Sequence, residues 1–145
     1  PSGSSVVSAT LPTTSDLFLV VLDNVNVKRY IGFRPNSDAT ADKVTLASIA
    51  ATLSVTTLTY FRIGDSGSNT TAKAISGTFT VERLASSSVL CLSGIITSKD
   101  STPAIYSFIS GQWTAAANMT TMNFNADTGD GVFGGGSIHI YRQIE

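Results

Sequence analysis

The chain is poor in the side chains that do chemistry. One histidine, His139, and one cysteine, Cys91, stand among 145 residues, and charged residues make up only 13%. Hydrolytic triads, zinc sites and general acid–base pairs draw on His, Cys and closely placed carboxylates. A protein that is not an enzyme, with no catalytic residue, metal or cofactor, is therefore expected. The 9 basic and 10 acidic residues are scattered singly and sum to a formal charge of −1, which leaves no electrostatic footprint for nucleic acid or an anionic membrane. Long hydrophobic runs are missing as well. The stretch Leu17 to Leu22 falls far short of the ~20 residues a spanning helix needs, and no basic-then-apolar segment opens the sequence, so neither insertion nor secretion is expected. The lone cysteine excludes an internal disulfide; in Ser88-Val89-Leu90-Cys91-Leu92 it reads as a buried small hydrophobe.

Serine and threonine fill the place of the missing charge, while 42% of the residues are apolar. That is enough to build a core, and low net charge removes the usual cause of disorder. The apolar segments are short, rich in β-branched and aromatic residues, and punctuated by Gly, Asn, Asp, Ser and Pro, as strands and turns are. Strands are expected at Leu17 to Leu22, Val27 to Phe33, Ser54 to Ile63, Ile75 to Leu84, Ser88 to Thr97, Ala104 to Ser110, Thr121 to Ala126 and Ser137 to Gln143. The alternation is cleanest where Ile75, Gly77, Phe79 and Val81 oppose Ser76, Thr78, Thr80 and Glu82, which points Phe79 and Val81 inward. Helical spacing occurs only in Ala41 to Leu53, where Val44, Ala47, Ile49 and Ala50 allow a short helix that Thr45, Ser48 and Thr52 weaken.

Short strands without long intervening helices argue for an all-β fold: an antiparallel two-sheet sandwich, a jelly roll in the first instance and a generic β-sandwich in the second. It should occupy residues 16–145 as one domain. Residues 1–15 hold five serines and two prolines with little periodicity and read as an extended N-terminal arm. The start at Pro1 is compatible with an intact small protein that has lost its initiator Met, and equally with a piece of a longer one.

Several motifs have a chemical reading and a plainer one. Asp127-Thr128-Gly129-Asp130-Gly131 faintly resembles a calcium loop, but the further acidic positions and closing bidentate Glu of such a loop do not follow, so an Asp/Gly turn is expected; Asp65 to Asn69 reads likewise. Gly134-Gly135-Gly136 lacks the Lys and ensuing helix of a phosphate cradle and reads as a turn or bulge with positive φ. Asn69-Thr70-Thr71 and Asn118-Met119-Thr120 match the glycosylation pattern by chance. Trp113, after the turn-like Ser110-Gly111-Gln112, closes one end of the sandwich or lies at an interface; with Tyr60, Tyr106 or Tyr141 it is the alternative's platform for a sugar ring. In Ser137-Ile138-His139-Ile140-Tyr141 alternation sets His139 beside Tyr141 and opposite Ile138 and Ile140, a surface or interface position.

The closing run, Gly129-Asp130-Gly131-Val132-Phe133-Gly134-Gly135-Gly136-Ser137-Ile138-His139-Ile140-Tyr141-Arg142-Gln143-Ile144, resembles the end of a family of jelly-roll structural proteins of bacteriophage virions. There a Gly-rich turn with an embedded Phe leads into a last strand of the form Gly-Ser/Thr-Ile-x-Ile/Leu-Tyr, usually followed by Gly; Arg142 stands here instead. Looser similarity runs upstream through Lys28 to Pro35, Gly64 to Ser68, Ser76-Gly77 and Gly111-Gln112-Trp113. The resemblance implies a virion role among capsid decoration (cement), head-fibre and tail proteins, and carries over no catalytic residue. Chain size favours decoration of the capsid exterior, with the major capsid protein and further copies of the chain, as dimer or trimer, for partners. On that expectation the arm orders on binding with Val6, Val7 and Leu11 as anchors, and Trp113, His139, Tyr141 and Arg142 face a partner. The alternative is a tail or fibre module that binds host glycans.

Overall fold

The computed structural model describes residues 6–11, 17–36, 43–49, 52–58, 60–65, 71–83, 89–98, 105–114, 119–126 and 133–143. Among them are eleven strands and no helix: β1 Val6–Thr10, β2 Leu17–Val27, β3 Tyr30–Pro35, β4 Lys43–Ile49, β5 Thr52–Leu58, β6 Phe61–Asp65, β7 Lys73–Arg83, β8 Val89–Ser98, β9 Ile105–Thr114, β10 Thr121–Ala126 and β11 Gly135–Arg142. They form two antiparallel sheets, one of four strands in the order β1-β10-β3-β6 and one of seven in the order β11-β2-β7-β8-β9-β4-β5.

The pairs β1:β10, β2:β7, β3:β6 and β4:β5 are nested in sequence. A long antiparallel ribbon of four such pairs, wrapped so that successive pairs fall in alternate sheets, is the jelly roll. Two additions set this one apart. The β8–β9 hairpin is inserted between β7 and β4, and β11 is laid outside β2. Together they widen one sheet to seven strands.

The segment with helical spacing is a β-hairpin. β4 pairs with β5 from Lys43↔Leu58 to Ile49↔Thr52 and with β9 on its other side. Strand pairing on both edges satisfies the backbone of β4, and Val44, Thr45, Ile49, Thr52 and Val55 are β-branched, so sheet context overrides a weak helical pattern. The expected strand Ser54 to Ile63 is likewise two strands, β5 and β6, in different sheets.

Residues 6–11 belong to the sandwich and do not stand apart from it. β1 is hydrogen-bonded along β10 from Val6↔Asn125 to Thr10↔Thr121, the Leu11 N–H donates to the Thr120 carbonyl at 2.8 Å, and the Leu11 side chain is only 6% exposed. Ser8 donates its hydroxyl to the Asn123 amide oxygen across the same pair. Of the expected arm, residues 1–5 and 12–15 lie outside the described residues.

Phe33 lies at the centre of the core. Its ring meets those of Phe61, Phe124 and Phe79 at centroid distances of 5.8, 5.6 and 6.1 Å. Phe79 and Val81 point inward as the alternation of β7 requires. The two sheets close tightly where Phe61 lies on Gly111: a Cβ at Gly111 would stand 2.8 Å from the Phe61 ring. Trp113 is buried with Leu90 and Leu92 in the same core.

Candidate contact surface

Alternation along five paired strands decides what the seven-stranded sheet shows to the outside. On β9, Ser107, Ile109 and Trp113 are buried while Tyr106, Phe108, Ser110 and Gln112 are exposed. Residues of β11, β2, β7, β8 and β9 on that outer side line up in cross-strand rows. One row reads His139, Val21, Thr78, Ile95, Phe108 and the next Tyr141, Leu19, Thr80, Ser93, Ser110. A third holds Leu17, Glu82, Cys91 and Gln112.

The large apolar side chains that stay exposed among the described residues are Leu19, Ile95, Tyr106, Phe108 and Tyr141, at 41% for Leu19 and 58% for Tyr106. All five project from this one face. Scattered singly they would need no explanation; gathered on one sheet they form an apolar patch of the kind that marks a contact site. Beside Leu19, Ile95 and Phe108 lies an open depression of about 330 Å³, lined by Thr80, Glu82, Cys91, Ser93, Ser110 and Gln112. It exists because small side chains at 80, 91, 93 and 110 sit beside large ones at 19, 95, 108 and 141. The Thr80 hydroxyl lies 3.2 Å from the Ser93 hydroxyl, so the floor is tied across strands.

The outer face of the four-stranded sheet is of another kind. The Arg62 guanidinium lies 4.4 Å from the Tyr30 ring centroid, Tyr30 stacks on Tyr60 at 5.8 Å, and Arg34 lies 5.8 Å from Tyr60. The Tyr60 hydroxyl donates to that of Tyr30 at 2.7 Å. This Arg–Tyr–Tyr–Arg stack uses its aromatic faces internally and covers Gly32, where a Cβ would come within 2.9 Å of the Tyr60 ring. It presents guanidinium and hydroxyl edges, not apolar area.

Of the residues expected at an interface, the structure brings His139 and Tyr141 together on the apolar face, their rings 6.3 Å apart and stacked. Arg142 is exposed but falls on the alternate set of β11 with Ile138 and Ile140, which pack against the core. Leu11 and Trp113, at 6% and 4% exposure, are core residues and not anchors for a partner; a sugar platform on Trp113 is excluded with them. Val6 and Val7 pair with Asn125 and Phe124 in the sheet, and their side chains lie outside the described set. Cys91 is half-buried in the depression instead of in the core, because β8 turns Leu90 and Leu92 inward and Cys91 outward. The Gly-rich run has the positive φ expected of it, 156° at Gly135 and 84° at Gly136, and lies opposite a bulge whose extra residue belongs to β2, where Gly135 to Ser137 faces Asn26 to Asp23. Asp127 to Gly131, Ser66 to Asn69 and Asn118 lie outside the described residues.

Sequence does not single out Leu19, Ile95 or Phe108, and marks Tyr106 only as a ring for stacking on sugar. In Ile105 to Ser110 both alternate sets carry large apolar residues, so period-2 spacing alone does not say which set faces out. Among the described residues, no group of three His, Cys, Asp or Glu side chains is placed to hold a metal ion, and no helix is long and apolar enough to cross a membrane. Comparison with known proteins finds no matching family model, curated protein or solved structure.

Proposed function

We propose that this chain is a structural protein that works by surface contact, and that the surface it uses is the outer face of the seven-stranded sheet. The observation that carries the reading is the gathering of Leu19, Ile95, Tyr106, Phe108 and Tyr141 on that face. Exposing this much apolar area costs solubility unless a partner covers it. The setting follows from the resemblance of the closing run to phage virion jelly rolls: a decoration protein that binds the outer capsid shell and adds contacts resisting internal DNA pressure. A repeated lattice multiplies modest affinities through effective concentration, so each contact can be small. Copy number per purified particle, read from a quantitative gel, tests the setting. Hundreds of copies are expected; a few to a few dozen would instead place the protein in a tail or fibre, and none would remove it from the virion.

A second reading, a glycan-binding module, is favoured by one observation. Phe108 is exposed beside a depression lined by the Thr80, Ser93 and Ser110 hydroxyls, the Gln112 amide and the Glu82 carboxylate, with exposed Tyr106 further along the same strand. A ring for stacking next to hydrogen-bonding groups is what sugar recognition uses. Binding on a glycan array that is lost in Phe108→Ala supports this reading over the first.

A further inference from the structure

We infer that the outer face of the seven-stranded sheet pairs with the same face of a second copy of this chain, as a two-fold sheet-on-sheet dimer. The inference rests on the reading of that face as a contact surface, and not on the virion setting.

The register of the strands makes this face complementary to itself. Place a two-fold axis above β7, parallel to its strand, and bring two copies face to face. Each residue then meets the one equally far from β7 on the opposite side and in the same row. In the row Tyr141, Leu19, Thr80, Ser93, Ser110, Leu19 falls over Ser93 of the second copy and Tyr141 over its Ser110. In the row His139, Val21, Thr78, Ile95, Phe108, Ile95 falls over Val21 and Phe108 over His139. Every large exposed side chain of the two rows meets a small or half-buried one, or in the case of Phe108 another ring. The depression lined by Thr80, Ser93 and Ser110 thus receives Leu19 and Tyr141 of the partner copy. A surface that is its own complement under one rotation is what an isologous interface requires.

Size suffices. With the axis on β7, the strands β11, β2, β7, β8 and β9 overlap those of the second copy while β4 and β5 lie beyond the overlap; strands ~4.8 Å apart with a rise of ~3.3 Å per residue give, for eight-residue strands, roughly 600 Å² of overlapping sheet. Interfaces of standard size bury about 600–1,000 Å² per partner. Facing sheets pack about 10 Å apart, close enough for side chains to interleave, and an axis parallel to β7 keeps the strands of the two copies aligned, so the rows stay matched. Charge does not oppose the pairing in the two central rows, which hold no Asp, Glu, Lys or Arg. The third row does oppose it at one point: Glu82, on β7 itself, meets its own copy at the axis.

Complementary charges test the pairing. By sedimentation velocity the wild type is expected to run as a dimer, Leu19→Lys and Ser93→Asp each as monomers, and their equimolar mixture as a dimer again. In the mixture the lysine introduced at position 19 of one chain meets the aspartate introduced at position 93 of the other, while the second contact keeps its native residues. Glu82→Gln, which leaves the fold untouched at an exposed position, is expected to shift the equilibrium several-fold toward dimer. Both charged substitutions lie at exposed sites, and unchanged circular dichroism confirms that each variant is folded. A monomeric wild type, or a mixture that stays monomeric, overturns the inference. If such a monomer still binds purified capsid shells and Phe108→Ser abolishes that binding, the face contacts a different protein and the broader contact reading survives; if neither self-association nor shell binding is found, both fall.

Discussion

Gly136 closes on the backbone of Asn24: a Cβ at Gly136 would stand 2.2 Å from the Asn24 carbonyl oxygen. Both residues hold positive φ, 84° and 47°. Here β2 carries one extra residue, which shifts its register against β11 and against β7 alike. Asn24 is held by its N–H donating to the Ser76 hydroxyl at 3.0 Å, and the Asn26 amide donates to the Asn24 carbonyl at 3.0 Å. Beyond this bulge of β2, His139 and Tyr141 pair in register with Val21 and Leu19 on the apolar face.

Gly136→Ala is therefore expected to destabilise the fold by about 2–4 kcal/mol, since a left-handed φ and a backbone clash act together. Gly135→Ala is the internal control. Its φ is also positive, but the nearest atom to an added Cβ is the Asn26 side-chain nitrogen at 3.7 Å, so the conformational cost of about 1–3 kcal/mol applies without the clash, and the loss is expected to be the smaller of the two. Urea denaturation of the three proteins distinguishes the two costs; equal losses would show that the close approach to Asn24 is relieved by movement.

The same bulge shows what sequence can and cannot say. Three glycines before a strand lead directly to the positive φ of Gly135 and Gly136, because only glycine takes such φ values without strain, and the inward set Ile75, Phe79 and Val81 follows from alternation with Ser, Thr and Glu. Trp113 and Leu11 are harder. An aromatic after Gly111-Gln112 suits a wet rim or a core equally until β9 is known to run four residues past Ser110, and Leu11 follows an edge strand of only five residues, too short to show a clear alternation. Beyond His139 and Tyr141, the apolar face eludes sequence, since it joins β11 and β2 to the β8–β9 hairpin and these three pieces lie far apart along the chain. Register across strands, unlike spacing within one, is not local.

Residues 1–12 would be dispensable were they an arm outside the sandwich. Because β1 covers the edge of β10 and Leu11 is buried, their removal is expected to lower the melting temperature. Leu11→Ala alone should cost about 2–4 kcal/mol as a core truncation. Thermal unfolding followed by circular dichroism measures both. A truncated chain as stable as the intact one would mean that β1 contributes nothing to the fold.

Core and face should respond oppositely to truncation. Phe33→Ala removes the ring that meets three others and is expected to cost about 3–5 kcal/mol. Phe108→Ser removes an exposed ring and should change stability by no more than about 0.5 kcal/mol, while reducing the binding of a hydrophobic dye to the native protein. Should Phe108→Ser destabilise as strongly as Phe33→Ala, the outer face is already covered by the chain itself.

Cys91 gives an independent probe of the face. It is half-buried among Glu82, Ser93 and Gln112 in the depression, so a water-soluble thiol reagent is expected to label the native protein, without denaturant, to one equivalent. In the two-fold pairing Leu17 of the second copy covers it, and labelling of Leu19→Lys should then be several-fold faster than that of the wild type at concentrations where the wild type is paired. Equal rates would leave Cys91 open in both proteins and count against the pairing. Labelling only after denaturation of both would return the thiol to the interior and reverse the orientation of β8, and with it the assignment of Ile95 and Ser93 to the outer face.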